Sequence, residues 1–128
     1  MSTATTTIVV DDQEDIRFLI RHLIELSDGN LEVVAEAEDG ESCLKVLEDL
    51  PLHDPQVIVI DWMMPGLNGI ETALRIRETR PNARIILCSA FGDPTLEAEA
   101  RAAGIDRFLS KERMNEIPEA IARLVEDT

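Results

Sequence analysis

Residues 57–69 read VIVIDWMMPGLNG. Four β-branched apolar residues, Val57–Ile60, run without interruption into an acid, Asp61, and turn formers follow at Pro65, Gly66 and Gly69. An unbroken apolar run suits a strand covered on both faces, whereas a strand with one wet face would alternate. Asn68, with Glu71 three positions on, has the composition of a capping box, and Ile70, Ala73, Leu74 and Ile76 then recur at the helical period. The stretch predicts a buried parallel strand, a tight loop and a helix, with a carboxylate at the carboxyl end of the strand.

The same unit recurs along the chain. Further apolar runs lie at Thr7–Val10, Leu31–Ala35, Arg84–Cys88 and, more briefly, Arg107–Leu109. Helical spacing joins Ile16, Leu19, Ile20, Leu23 and Ile24, then Cys43, Leu44 and Leu47, then Leu96 and Ala100, and finally Ile117, Ile121, Leu124 and Val125. Asp12, Asp39 and Asp93 precede helical patterns as Asn68 does, where a side-chain oxygen can accept the orphan N–H groups of a first turn. Pro94 suits a first helical position and Gly104 a helix end; Asn115 is a candidate cap for the last helix, with Pro118 in its first turn. The β-α order repeated five times predicts an α/β domain: a five-stranded parallel sheet, doubly wound by right-handed crossovers.

Composition bounds the function. The 128 residues, 45% of them hydrophobic, suffice for one packed domain, and no tract reads as a linker or a second domain. Lys and Arg number 12 against 26 Asp and Glu, so the formal charge is 12 − 26 = −14. That balance argues against direct nucleic-acid binding, which needs clustered cations, and suits cation binding, a basic partner or simple solubility. No apolar run approaches the roughly 18 residues of a membrane span, and the start lacks the basic region of a signal peptide, so a cytoplasmic protein is expected. Cys43 and Cys88 lie in apolar segments and read as buried reduced thiols, while His22 and His53 are isolated and read as surface residues.

Open α/β sheets bind ligands beyond the carboxyl ends of their strands. There the sequence puts Asp11 and Asp12, Asp61, Ser89, and Ser110 with Lys111. Each residue alone could cap a helix, start a turn or sit in solvent. Gathered together, three carboxylates would repel one another unless a hard cation intervened. A lysine and a hydroxyl beside them suit a phosphoryl group, and a carboxylate can itself be the nucleophile.

These residues carry a resemblance. IVVDDQ, VIVIDWMMPGLNG, IILCSA and FLSK, in that order and at that spacing, resemble the receiver domain of bacterial two-component response regulators, over about residues 6–126. The resemblance implies a flavodoxin-like three-layer sandwich and a phosphorylation switch rather than a turnover enzyme. It implies Asp61 as phosphoacceptor and Mg²⁺ (or Mn²⁺) held by Asp12, Asp61 and the Met63 backbone carbonyl, with Asp11 acting through water. Ser89 and Lys111 would contact the phosphoryl group, and Phe108 would change rotamer with Ser89. Implied partners are a sensor histidine kinase or phosphotransfer protein, an output domain or effector reached through the fourth helix, fifth strand and fifth helix, and a second copy of the phosphorylated chain. The length leaves no room for an effector, so output is expected in another domain or chain. Arg75–Ala90 and the Lys111-Glu112 pair resemble receivers that precede helix-turn-helix domains.

Three departures stand out. Phe108 replaces the commoner tyrosine and lacks its hydroxyl. Glu112 replaces the proline usual after the lysine, so a trans peptide and an altered following loop are expected, since a non-proline cis bond costs about 3–4 kcal/mol. Met63 and Phe91 are apolar at positions that tune water access to the aspartyl phosphate, which implies slow self-hydrolysis. Among rival readings, an aspartyl-nucleophile phosphohydrolase would want a second acid at position 63. A flavin binder would want a glycine-rich phosphate loop after Val10. A pseudo-receiver that only binds partners would not need the full Asp11, Asp12, Asp61, Ser89, Lys111 set.

Overall fold

The computed structural model describes residues 4–90 and 92–126. The chain runs β1 (Thr5–Val10), α1 (Glu14–Glu25), β2 (Leu31–Ala37), α2 (Gly40–Glu48), β3 (Val57–Ile60), α3 (Gly69–Thr79), β4 (Arg84–Ser89), α4 (Pro94–Ala102), β5 (Arg107–Ser110), a 3-10 segment (Lys111–Glu116) and α5 (Ile117–Glu126). All strand pairs are parallel, in the order β2-β1-β3-β4-β5. This is the expected five-stranded doubly wound sheet, with each strand extending one or two residues beyond its apolar run except β3.

Alternation along the strands splits the core in two. Ile8, Val10, Ile58, Ile60, Ile85 and Leu87 face Cys43, Leu47, Ala73, Ile76 and Ala100 of α2, α3 and α4. Val9, Val57, Val59, Ile86, Cys88 and Leu109 face Ile20, Ile24, Ile117, Ala120 and Ile121 of α1 and α5. Burial on both faces explains the unbroken apolar runs. The two thiols are buried in these layers, and desolvation pushes both Cys43 and Cys88 up to about 12.

The caps follow the sequence in three of five places. Asp39 accepts from Ser42 N–H, Asp93 from Leu96 N–H with Pro94 at the first helical position, and Asn68 with Glu71 closes a full capping box. Gly104 ends α4 with φ +85°. Asp12, by contrast, is exposed and does not cap α1: Gln13 occupies that position, and its N–H is taken by Asp11 Oδ1 at 2.9 Å. Asn115 caps nothing either, because the 3-10 segment, kinked at Arg113, runs straight into α5. Two residues at the helical spacing are not covered: Leu19 is 44% exposed and Leu74 is 51% exposed.

The Lys111-Glu112 peptide is trans, as expected from the missing proline; among the described residues the cis bond is Asp54-Pro55.

Candidate functional site

The strand order reverses between β1 and β3, the position where such sheets open a crevice at their carboxyl ends. β1 delivers Asp11 and Asp12 to that crevice and β3 delivers Asp61, whose N–H is held by the Val10 carbonyl at 2.9 Å. Carboxylate oxygens of the three acids lie within 4.8 Å of one another. Asp11 and Asp61 are buried and Asp12 is exposed, so the cluster opens to solvent on one side.

β5 brings the counter-charge. Lys111, one residue past the strand, puts Nζ 2.9 Å from Asp11 Oδ2 and 3.5 Å from Asp61 Oδ1. Burial raises Asp61 to about 6, the Asp11 charge adds to this, and Lys111 opposes it. Lys111 is itself raised: burial works against its charge, but contact with Asp11 and then Asp61 outweighs that. Asp11 Oδ2 is buried and faces the Lys111 ammonium at 2.9 Å, inside the cluster. A hard divalent ion takes such oxygens, and the donor set fits Mg²⁺ or Mn²⁺.

The loop after Asp61 is shaped by glycine. Gly69 N–H returns to the Trp62 carbonyl at 2.8 Å, and a Cβ on Gly69 would stand 2.3 Å from the Asp61 carbonyl oxygen. No side chain fits where α3 enters. Gly66 supplies φ +78° in the same loop, over open space. Met63 turns its side chain outward, 54% exposed.

Ser89 is fully buried at the end of β4, in register with Ser110. Phe108 is half-buried on β5, packed against the core, with its ring edge at Gly92 of the β4–α4 loop. The structure thus gathers Asp11, Asp12, Asp61 and Lys111 into one cluster and puts Ser89 at the end of β4, while Phe108 lies two residues before the end of β5. Phe91 lies outside the described residues.

One residue at the site escaped the sequence reading. Arg17, on α1, donates to the Asp11 backbone carbonyl at 2.7 Å. The available signal was its spacing, a cation six residues after the first acid and one turn into the helix.

A parallel sheet in this order, with acids at its crevice and a lysine after β5, defines the receiver class of signalling domain. The sequence model of the response regulator receiver domain matches residues 7–122, and the chain belongs to that family. It is 34% identical over 104 residues to the chemotaxis protein CheY of Bacillus subtilis, covering 81% of this chain and 82% of that protein. It is 33% identical over 107 residues to the nitrate/nitrite response regulator NarL of Escherichia coli, where it spans about half (48%) of the relative's length. The receiver domain of a NarL from Mycobacterium tuberculosis superposes with TM-score 0.88 at 28% identity, over 99% of this chain and 100% of that one. The chain is therefore the receiver domain of a two-component response regulator, and receiver domains are generally not true enzymes. Receiver domains bind Mg²⁺ at an acidic cluster and interact with histidine kinases and with output domains or effectors. No described helix is long and apolar enough to cross a membrane.

Proposed function

We propose that this chain is a phosphorylation switch whose acceptor is Asp61. The observation that carries the reading is the position of Lys111 Nζ, 2.9 Å from Asp11 Oδ2 and 3.5 Å from Asp61 Oδ1, beside three acids whose oxygens lie within 4.8 Å. An Asp61 carboxylate oxygen attacks phosphorus in line with the P–N bond of a kinase phosphohistidine, or the P–O bond of a small donor. The new P–O bond forms as that bond breaks; a phosphohistidine protonated on its other ring nitrogen leaves as neutral imidazole, and a small donor leaves as its oxyanion. Asp12, Asp61 and the Met63 backbone carbonyl, with Asp11 through water, would hold Mg²⁺ or Mn²⁺, which when bound supplies positive charge against the phosphoryl oxygens.

Lys111 then pairs with the transferred group and the Ser89 hydroxyl donates to it. The phosphoryl adds about −1.5 to −2 charge, which only a local rearrangement can accommodate. Movement of Ser89 frees space for the Phe108 ring to turn inward, and the surface of α4, β5 and α5 changes for an output domain, an effector or a second copy. A bias of a few kcal/mol between pre-existing states suffices. The partners this reading calls for are a histidine kinase or phosphotransfer protein upstream and an effector downstream, without direct nucleic-acid contact by residues 1–128, taken as one domain.

The test is incubation of wild type and Asp61→Asn with a small phosphodonor and Mg²⁺. Wild type should take up a hydroxylamine-labile label that the variant lacks. Equal, hydroxylamine-resistant labelling of both would refute the assignment.

A further inference from the structure

Arg17 stands behind the acid cluster rather than in it. Its Nη1 donates to the Asp11 backbone carbonyl at 2.7 Å, and its Nε lies 3.4 Å from Glu36 Oε1. The side chain is only 16% exposed. Glu36 sits on β2 opposite Val9, and its Oε2 is held in turn by Arg21 Nη1 at 2.6 Å. The guanidinium therefore clasps the β1–α1 turn to the sheet.

Asp11 is otherwise pinned at its amide, which donates to the Ala37 carbonyl at 3.1 Å, and at Oδ1, which accepts from Gln13 N–H at 2.9 Å. With the carbonyl held by Arg17, Oδ2 is the one polar atom of Asp11 aimed into the cluster. A planar guanidinium can bridge two acceptors on different elements in a fixed geometry; an ammonium has no such fork.

A cation next to an acidic site would by charge alone weaken the binding of another cation, so the location of Arg17 calls for a different account. We propose that Arg17 is a positioning residue for the cation site, acting through the Asp11 carbonyl to keep Asp11 Oδ2 directed at Asp61 and Lys111. The inference rests on the reading of the three acids as a Mg²⁺ site.

Three accounts of Arg17 differ in their consequences. As a charge only, its removal would tighten Mg²⁺ binding, and Arg17→Lys would change nothing. As a clasp between α1 and β2 only, its loss would lower the melting temperature and leave Mg²⁺ affinity alone. As a positioning residue, its loss weakens Mg²⁺ binding, and Arg17→Lys does so too because it keeps the charge and loses the fork. Residues that orient metal ligands typically change affinity 10- to 100-fold.

The experiment is Mg²⁺ titration of the full chain, read by fluorescence of Trp62, the single tryptophan and the neighbour of Asp61, with melting curves in EDTA. Wild type, Arg17→Ala, Arg17→Lys and Arg21→Ala are compared; the last removes the outer arm of the Glu36 pair and the exposed Arg21–Glu25 pair, and leaves Arg17 in place. The Mg²⁺ dissociation constant should rise about tenfold in Arg17→Ala and at least about threefold in Arg17→Lys, with Arg21→Ala within about twofold of wild type. Should Arg17→Ala not fold, Arg17→Lys decides the question. Wild-type affinity in Arg17→Lys, or tighter binding in Arg17→Ala, overturns the inference. A wild type that does not respond to Mg²⁺ overturns the cation-site reading itself, and this inference with it.

Discussion

The acid cluster should cost the metal-free protein stability, and Asp61→Asn should recover it. Burial and the Asp11 charge raise Asp61 from 3.8 to about 6 in the folded chain. A shift of that size corresponds to about 3 kcal/mol at neutral pH as a ceiling, at about 1.36 kcal/mol per unit. The exposed Asp12 keeps one side of the cluster wet, and solvent screening brings the expected figure to about 1–2 kcal/mol. The sign follows from proton counts. Between pH 3.8 and about 6 the folded state holds the Asp61 proton and the unfolded state has lost it. Stability therefore falls as pH rises through that window and is lowest above it. Asp61→Asn has no such proton to lose. Urea unfolding in EDTA should show the variant about 1–2 kcal/mol more stable at pH 7.5, with the gap shrinking to about a third of that by pH 4.5. Saturating Mg²⁺ at pH 7.5 should reverse the order, since a ligand at 100 times its dissociation constant adds about 2.7 kcal/mol to a protein that binds it. A gap that stays level from pH 7.5 to 4.5, or a variant less stable than wild type in EDTA at pH 7.5, would refute the reasoning.

Other changes read separate parts of the structure. Lys111→Ala leaves the buried Asp11 carboxylate without its cation; in EDTA melts it should cost about 2–3 kcal/mol, and Mg²⁺ should restore more stability to it than to wild type. Gly69→Ala forces a methyl group against the Asp61 carbonyl and should cost more than about 2 kcal/mol by urea titration. Gly66→Ala, strained at φ +78° but in open space, should cost about 1 kcal/mol in the same assay. Asn68→Ala removes the capping box of α3 and should lower stability by about 1 kcal/mol, with Mg²⁺ affinity unchanged in a Trp62 fluorescence titration. Met63, exposed beside the acceptor, should slow hydrolysis of the aspartyl phosphate; Met63→Asn should shorten the lifetime of the label in a chase after phosphodonor removal.

What could be read from sequence divides along a physical line. Val57–Ile60 and its sister runs announced buried parallel strands because a strand covered on both faces has no polar alternative. The acids at strand ends were legible because the fold class alone puts those ends on one rim. The missed features turn on local geometry that composition and period leave open, or on packing against a neighbour distant in sequence. Asp12 looked like a helix cap, but Asp11 Oδ1 had already taken the Gln13 N–H, a choice set by how the β1–α1 turn leaves the sheet. Asn115 looked like a cap until the 3-10 segment supplied a continuous lead into α5. Leu19 and Leu74 kept helical spacing yet are exposed, since period alone does not define how wide the covered face is. Arg17 was silent because its partners, a backbone carbonyl and Glu36 of β2, are set by packing.

Local charge explains why the site should favour one order of events under the proposed reading. Three carboxylates and one ammonium sum to −3 + 1 = −2, and Asp61 is raised by its burial first and by the Asp11 charge second, against the opposing Lys111. A divalent cation brings the sum to zero. Phosphorylation then converts the Asp61 carboxylate into a neutral acyl group and adds about −2 on the phosphoryl oxygens, so the loaded site stands near −1 with the cation and near −3 without it. In a partly buried site the second figure is the costlier one, so under the proposed reading a bound cation would favour transfer. The same count gives Lys111 two partners in sequence: Asp11 and Asp61 while the site is bare, and the phosphoryl group once Asp61 has lost its charge. The switch is then a reassignment of one ammonium, and Ser89 at the end of β4, with Phe108 two residues before the end of β5, would carry that reassignment to α4 and α5.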